Sequence, residues 1–367
     1  MRFGAFWQVP GYEGSSVARR HWETIEEIAL AEQLGFESAW LAESVFYPTR
    51  PMSNPLMVAI AAAQRTEHIR FGTLATQTPL HHPLHLASQS ATCDILTNGR
   101  LDLCLGGRWG TPVGQALGHD AHISGAESRA RVAEAIALLQ AAWTEEQTTF
   151  EGTYWRTSNL PVLPKPVQSP HPPLFLASNS NDTFAHAARM GLGIIGTILS
   201  QPMPRLVQRL AEFEAAKPET PPAQPQQAHV MVSFFVAETR RKAHAMMQEN
   251  WRPGDSAAGY ERLKQMGFDP STPDFATGAV GWMSWDFARA SEVAIYDDPS
   301  ACVERLQSLQ EQLPGMSQCI LEFNRRGRIS SEDIQTSMRL FAEKVMPKLS
   351  SPGHVITASR RTGLSQD

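Results

Sequence analysis

FGTLATQTPLHHPLHLASQSATCDILTNGRLDLCLGGRW, residues Phe71 to Trp109, is the stretch whose reading decides the fold. With Ile69 and Arg70 its first part reads as a strand over 69–76. A His-His-Pro turn at His81–Pro83 follows. A helix over 83–96 then carries Leu84, Ala87, Ala91 and Ile95 on one face and stops at Asn98–Gly99–Arg100. A second strand over 101–105 runs into Gly106–Gly107–Arg108–Trp109. Strand, helix and strand in that order make one βαβ unit. The closing turn offers closely approachable backbone, one guanidinium and one indole, which suits a flat anionic ligand; a plain turn with an exposed arginine is the competing reading.

The same alternation extends both ways. Upstream lie a strand over 2–7, a helix over 22–34 ended by Gly35, and a short strand over 38–42. Ser53–Asn54–Pro55 opens an alanine-rich helix to Ala63. Downstream, a helix over 127–143 precedes a stretch over 150–173 whose six prolines predict an extended surface excursion. Strands over 173–177, 193–197, 230–236 and 319–323 alternate with helices over 182–189, 204–215 and 299–312. Ile334, Met338, Phe341 and Val345 stripe a final helix. Residues 251–297 show no clear period. Eight strands alternating with helices predict an α/β protein, a (β/α)8 barrel with insertions after strands four and seven (108–172 and 237–318), rather than an open doubly wound sheet. Residues 1–350 are expected to form one barrel domain and 351–367 a polar, disordered tail.

Composition narrows the function. A 42% hydrophobic share with 19% charged residues suits a soluble domain with a large core. A formal charge of −5 and a pI near 6.2 provide no basic field for nucleic acid or an anionic membrane. No apolar run is long enough for a membrane span. Cys93, Cys104, Cys302 and Cys319 lack metal spacing and point to a reducing, cytoplasmic setting.

In a barrel the chemistry gathers at the C-terminal ends of the strands. There the sequence places Glu43 and Ser44 after the second strand, Ala75 at the third, Gly106, Arg108 and Trp109 at the fourth, Ser178, Asn179 and Ser180 at the fifth, and Thr197 at the sixth. Ser178–Asp182 either caps the next helix, through Ser180 or Asp182, or binds phosphate on the same amides. No Gly-x-Ser-x-Gly elbow surrounds Ser44, which speaks against a hydrolase. His81 and His82 are adjacent in an extended segment and point apart, so no metal is expected there; His82 reads as the start of the third helix. Trp282, Trp285 and Phe287 either cover a pocket or pin their loop.

The run Gly35–Phe36–Glu37–Ser38–Ala39–Trp40–Leu41–Ala42–Glu43, then Asn54–Pro55, His82–Pro83, Asp94, Gly99–Arg100, and the segments 150–155 (FEGTYW) and 161–168 (PVLPKPVQ) together resemble the bacterial luciferase-like family of flavin-dependent monooxygenases. The resemblance covers nearly the whole chain. It implies a (β/α)8 barrel, usually dimeric, that binds reduced FMN at its C-terminal face. It also implies that a flavin C4a-hydroperoxide, formed with O2, inserts one oxygen into a small organic substrate. By matching position it places Ala75 beneath the flavin ring, Gly106, Arg108 and Trp109 near the ribityl chain and phosphate, and Ser178, Asn179 and Ser180 around the phosphate. Thr197 falls at the ring edge. No Gly-x-Gly-x-x-Gly follows a strand, so a separate NAD(P)H:flavin reductase is expected as partner.

Glu43 and Ser44 are the candidate catalytic positions by that match, and here the chain departs from the pattern. Many relatives carry Glu-His where this chain has Glu43–Ser44, and serine does not titrate near neutral pH. The departure counts against light emission from an aldehyde and against F420-dependent hydride transfer. An F420-dependent oxidoreductase on the same barrel and a non-catalytic flavin-binding protein stand as alternatives.

Overall fold

Ser16 accepts the amide of Arg19 and starts helix α1 at Val17 rather than at Trp22, where the apolar stripe alone would begin it. The helix (Val17–Gln33) ends at Gly35, whose φ of +89° is glycine's region. The Gly35 amide bonds Glu32 O and the Phe36 amide bonds Ala31 O, which turns the chain into the next strand. Asn54 and Pro55 open α2 (Pro55–Ala63) as predicted, and His82 caps α3 (Pro83–Leu96).

The computed structural model describes residues 1–9, 14–46, 51–107, 112–120, 122–177, 182–198, 203–250, 294–324 and 328–349. The strands are β1 (Phe3–Trp7), β2 (Ser38–Leu41), β3 (Arg70–Thr73), β4 (Thr76–Gln77), β5 (Leu101–Gly106), β6 (Thr148–Glu151), β7 (Arg156–Leu160), β8 (Leu174–Ala177), β9 (Gly193–Thr197), β10 (Ala228–Val236), β11 (Ala294–Asp297) and β12 (Gln318–Glu322). Parallel pairing runs β1-β2-β3-β5-β8-β9-β10-β12 and returns to β1, closing the predicted eight-stranded barrel. Further helices are α4 (Pro112–Ala116), α5 (Gly125–Thr144), α6 (Thr183–Arg189), α7 (Met203–Ala215), α8 (Arg240–Asn250), α9 (Pro299–Gln312) and α10 (Ser331–Lys344). Among the described residues, no helix is long and apolar enough to cross a membrane.

Three features differ from the sequence reading. The excursion over 150–173 is not merely extended, because β6 and β7 pair as an antiparallel hairpin. The Glu134 carboxylate accepts the amides of Thr153, Tyr154 and Trp155 and ties that hairpin to α5. A ninth parallel strand, β11, pairs with the C-terminal half of β10 inside the second insertion. Finally, the strand over 69–76 is broken. Gly72 pairs with Asp102 but Thr76 pairs with Leu105, so β3–β4 carries one residue more than β5. This is a bulge, and the Thr73 hydroxyl bridges it, donating to Cys104 O at 2.9 Å and accepting the Cys104 amide at 3.1 Å.

The barrel interior is plugged at mid-height. Trp40 of β2 meets Phe175 of β8 edge-on, with ring centroids 5.5 Å apart and planes at 88°, and approaches His229 of β10 at 5.6 Å. None of these strands neighbours β2, so the contacts cross the barrel. The rings fit because the facing positions lack side chains. A Cβ on Gly72 would fall 2.1 Å from the Trp40 ring, and one on Gly193 2.4 Å from the Phe175 ring. Below the plug a cavity of about 280 Å³ opens on the N-terminal face, lined by Arg2, Glu37, Arg70, Asp102 and His229 among others. Its charges answer one another. Arg70 grips Asp102 through two N–H groups at 2.9 and 2.6 Å, and Arg2 lies 3.4 Å from Glu37. Burial, with Arg2 adding to it, pushes the His229 imidazole down to about 3, and among the described residues its Nδ1 has no hydrogen-bond partner.

Two outcomes follow. Gly72→Ala forces a methyl group into the Trp40 indole and is expected to cost ~1–3 kcal/mol of stability, read from chemical unfolding with Trp fluorescence. His229 stays neutral in the fold down to about 3, whereas in the unfolded chain it takes a proton below 6.5. Unfolding is therefore favoured progressively as pH falls through that window, by about 2 kcal/mol between pH 6.5 and pH 5. His229→Phe removes this contribution, so its melting temperature should fall less than the wild type's over the same acidification.

Candidate active site

Above the plug, the strand ends at the C-terminal mouth carry a layer of small residues, the floor of a candidate cup. Gly106 ends β5; a Cβ there would lie 3.1 Å from Ala177 O and 3.3 Å from Ala75 Cβ. Three neighbouring strand ends thus meet with nothing larger than a methyl group. The bulge contributes to this, since the extra residue in β3–β4 carries Ala75 out of the ladder and over the floor. Thr197, half-buried, ends β9 at the adjoining rim. Gly107, at φ +112°, turns the chain away; a Cβ on it would come within 2.8 Å of Pro79.

One wall of the cup is polar. β2 stops at Leu41, whose carbonyl takes the last ladder bond from the Leu74 amide. Beyond it the Glu43 side chain occupies the place of the missing strand. Its Oε2 accepts the Gln77 amide at 2.5 Å, and the Gln77 side chain donates to the Glu43 carbonyl at 2.7 Å. The other carboxylate oxygen, Oε1, lies 2.7 Å from His81 Nε2. The Glu43 side chain is only 2% exposed and that of His81 19%. Ser44 is buried beside them, its amide on Met52 O.

Of the residues singled out in sequence, Glu43, Ala75 and Gly106 come together on successive strand ends, with Ser44 buried next to Glu43 and Thr197 on the adjoining rim. Arg108, Trp109, Ser178, Asn179 and Ser180 lie outside the described residues, as do Trp282, Trp285 and Phe287. Asp182 precedes α6 without a side-chain capping bond, so that half of the capping reading is corrected. Sequence reasoning missed His81 and Gln77. In sequence His81 figures only as one of two adjacent histidines that cannot share a metal, but it ends the short 3-10 turn Thr78–Leu80 and faces back to β2. The bulge that displaces this segment has no sequence signature of its own.

The other reactive groups are quiet. All four cysteines are buried and free, and burial pushes the Cys104 thiol well above its ordinary range and Cys93 and Cys319 up to about 12. Among the described residues no group of three or more His, Cys, Asp or Glu side chains converges as a metal site.

A closed ring of eight parallel strands alternating with helices defines a (β/α)8 barrel, whose sites lie at the C-terminal face. The chain belongs to the luciferase-like monooxygenase family, whose profile matches residues 1–314. It is similar to the oxygenase component of the flavin-dependent trigonelline monooxygenase of Acinetobacter baylyi, 24% identical over 252 residues, 68% of this chain and 69% of that protein. It is also similar to the F420-dependent glucose-6-phosphate dehydrogenase of Intrasporangium calvum, 31% identical over 188 residues, 48% of this chain and 53% of that protein. The chain spans about half the length of most such relatives. Among solved structures, monooxygenase RslO1 from Streptomyces bottropensis superposes with a TM-score of 0.77 at 26% identity, covering 95% of this chain and 100% of that one. The family therefore includes flavin-dependent monooxygenases and F420-dependent oxidoreductases.

Proposed function

We propose that the chain is the oxygenase component of a two-component flavin-dependent monooxygenase, binding reduced FMN in the cup and placing one atom of O2 into a small organic substrate. The observation that carries this reading is the floor formed by Ala75, Gly106 and Ala177, three neighbouring strand ends that meet at the C-terminal mouth with nothing larger than a methyl group. When bound, reduced FMN supplies the electrons that activate O2. The chain's own groups bind and orient. Ala75 and Gly106 support the ring, Thr197 meets its edge, and Glu43 fixes the wall on the β2 side. The buried plug beneath closes the barrel to water from below. Arg108 and Trp109, with Ser178, Asn179 and Ser180, are assigned to the ribityl chain and phosphate by sequence position. Glu43 and Ser44 keep their place as the candidate catalytic pair.

A separate NAD(P)H:flavin reductase is the expected partner, in keeping with a relative named as an oxygenase component and with the lack of a dinucleotide fingerprint. A homodimer is what the family resemblance implies. The four free, buried cysteines accord with a cytoplasmic setting. The second reading, an F420-dependent oxidoreductase, is favoured by the relatives that carry that name.

Anaerobic titration with reduced FMN and, in parallel, reduced F420 separates the two. The proposal expects saturable binding of reduced FMN, and 18O incorporation into substrate once a reductase and 18O2 are added. Preferential binding of F420 overturns it. Gly106→Val, which fills the floor, is expected to weaken reduced-FMN binding on the order of tenfold with the fold retained, since an overpacked contact costs ~1–3 kcal/mol.

A further inference from the structure

The rim of the cup holds a carboxylate–imidazole pair, Glu43 and His81, of which the motif match assigns only Glu43. Glu43 Oε2 receives a backbone N–H from Gln77, so that oxygen is an acceptor. Oε1 and His81 Nε2 are 2.7 Å apart and hold one proton between them. This proton sits on nitrogen in the arrangement that satisfies both carboxylate oxygens at once, since an ionised carboxylate accepts at each. Histidine is the side chain that ordinarily changes charge around neutrality, whereas Ser44 beside Glu43 does not. Resting on the reading that the cup binds reduced FMN, we infer that His81 and Glu43 form a proton-sharing dyad, with His81 as a positioning residue that sets the net charge of the Glu43 wall toward the bound flavin.

The charge logic is simple. With an imidazolium the pair is neutral overall; with a neutral imidazole it is an anion. An anionic ligand in the cup therefore meets a wall whose charge depends on His81. Among the described residues, Glu43 from the end of β2 is the charged group bonded to His81. Gln77 on β4, which holds Glu43, is uncharged. The titratable neighbours on α3 are His82 and His85, and burial followed by the charge of His85 holds His82 below its ordinary range.

The test uses Glu43→Gln, His81→Gln and the double variant. Glutamine at 81 keeps a side-chain N–H donor but cannot carry the charge. In the ligand-free protein, a double-mutant cycle on melting temperature is run at about pH 6 and about pH 9, on either side of histidine's ordinary range. The dyad predicts non-additivity on the order of 1–3 °C near pH 6 that shrinks near pH 9. Additive effects at both pH values overturn it, whether or not either single variant is destabilised. The second readout is the ratio of Kd values for reduced FMN between His81→Gln and wild type, in which the ligand's own ionisation cancels. That ratio should be on the order of fivefold near pH 6 and approach one near pH 9. A ratio that does not change with pH reduces His81 to a structural hydrogen bond and overturns its role. A wild type that binds no reduced FMN overturns the functional proposal instead, and the ligand-free cycle still decides the dyad.

Discussion

The Trp40 indole lying in the space left by Gly72 is the contact on which the rest of the barrel depends. A parallel barrel of eight strands has just enough room for side chains, and how that room is filled decides where an open site can exist. Here the bulk is concentrated in one layer. Trp40, Phe175 and His229 cross the axis, seated over two glycines, and Cys104, Ile195 and Ile320 pack around them. The layer above can then be small without opening the core to solvent. The cup at the C-terminal mouth and the plug beneath it are two consequences of one distribution of volume.

Carboxylates that take backbone amides hold the surrounding frame. Glu32 accepts the amides of Glu67, His68 and Ile69 and so fixes the approach to β3; against the upward push of burial these bonds hold its carboxyl below the ordinary range. Asp94 accepts the amides of Val167 and Gln168, and Gln168 passes the contact on to Leu101 O and Arg70. Arg100 gathers the carbonyls of Ala63, Thr66, Ile69 and Thr97. Glu27, fully buried, receives Trp7, Arg20 and Ser331 and ties β1 to α1 and α10. Removing one partner from such a buried set strands the others, at a cost of several kcal/mol. These contacts account for Asp94, Arg100 and the 161–168 segment as parts of the scaffold, remote from the cup.

Much of this was legible in sequence because it is local. The alternating strands, the Asn54–Pro55 helix start, the Gly35 stop and the glycine-ended fourth strand each have a signal within a few residues, and each is found. What was not legible depends on contacts distant in sequence. The β6–β7 hairpin is polar and largely exposed, so it lacks the apolar alternation that marks a strand. β11 exists because β10 is long enough to offer its edge past the end of β9. The bulge in β3–β4 is a matter of register against β5, which a single strand's sequence does not encode. The role of His81 is missed for the same reason, since its partner lies 38 residues earlier, just past the end of β2.

Glu43 shows how structure and chemistry are joined at this mouth. β2 ends two residues before it, and without a neighbour the Gln77 amide on β4 would face an empty edge. The carboxylate supplies the acceptor that a backbone carbonyl would otherwise provide, so the sheet alone calls for an acceptor side chain here. That requirement fixes only one oxygen. The second is turned along the rim by the same geometry, and the residue that meets it is free to differ without disturbing the ladder. In this chain it is met by His81, carried on a segment that the bulge has already displaced. Ser44 can therefore occupy its position without leaving Glu43 Oε1 unpaired.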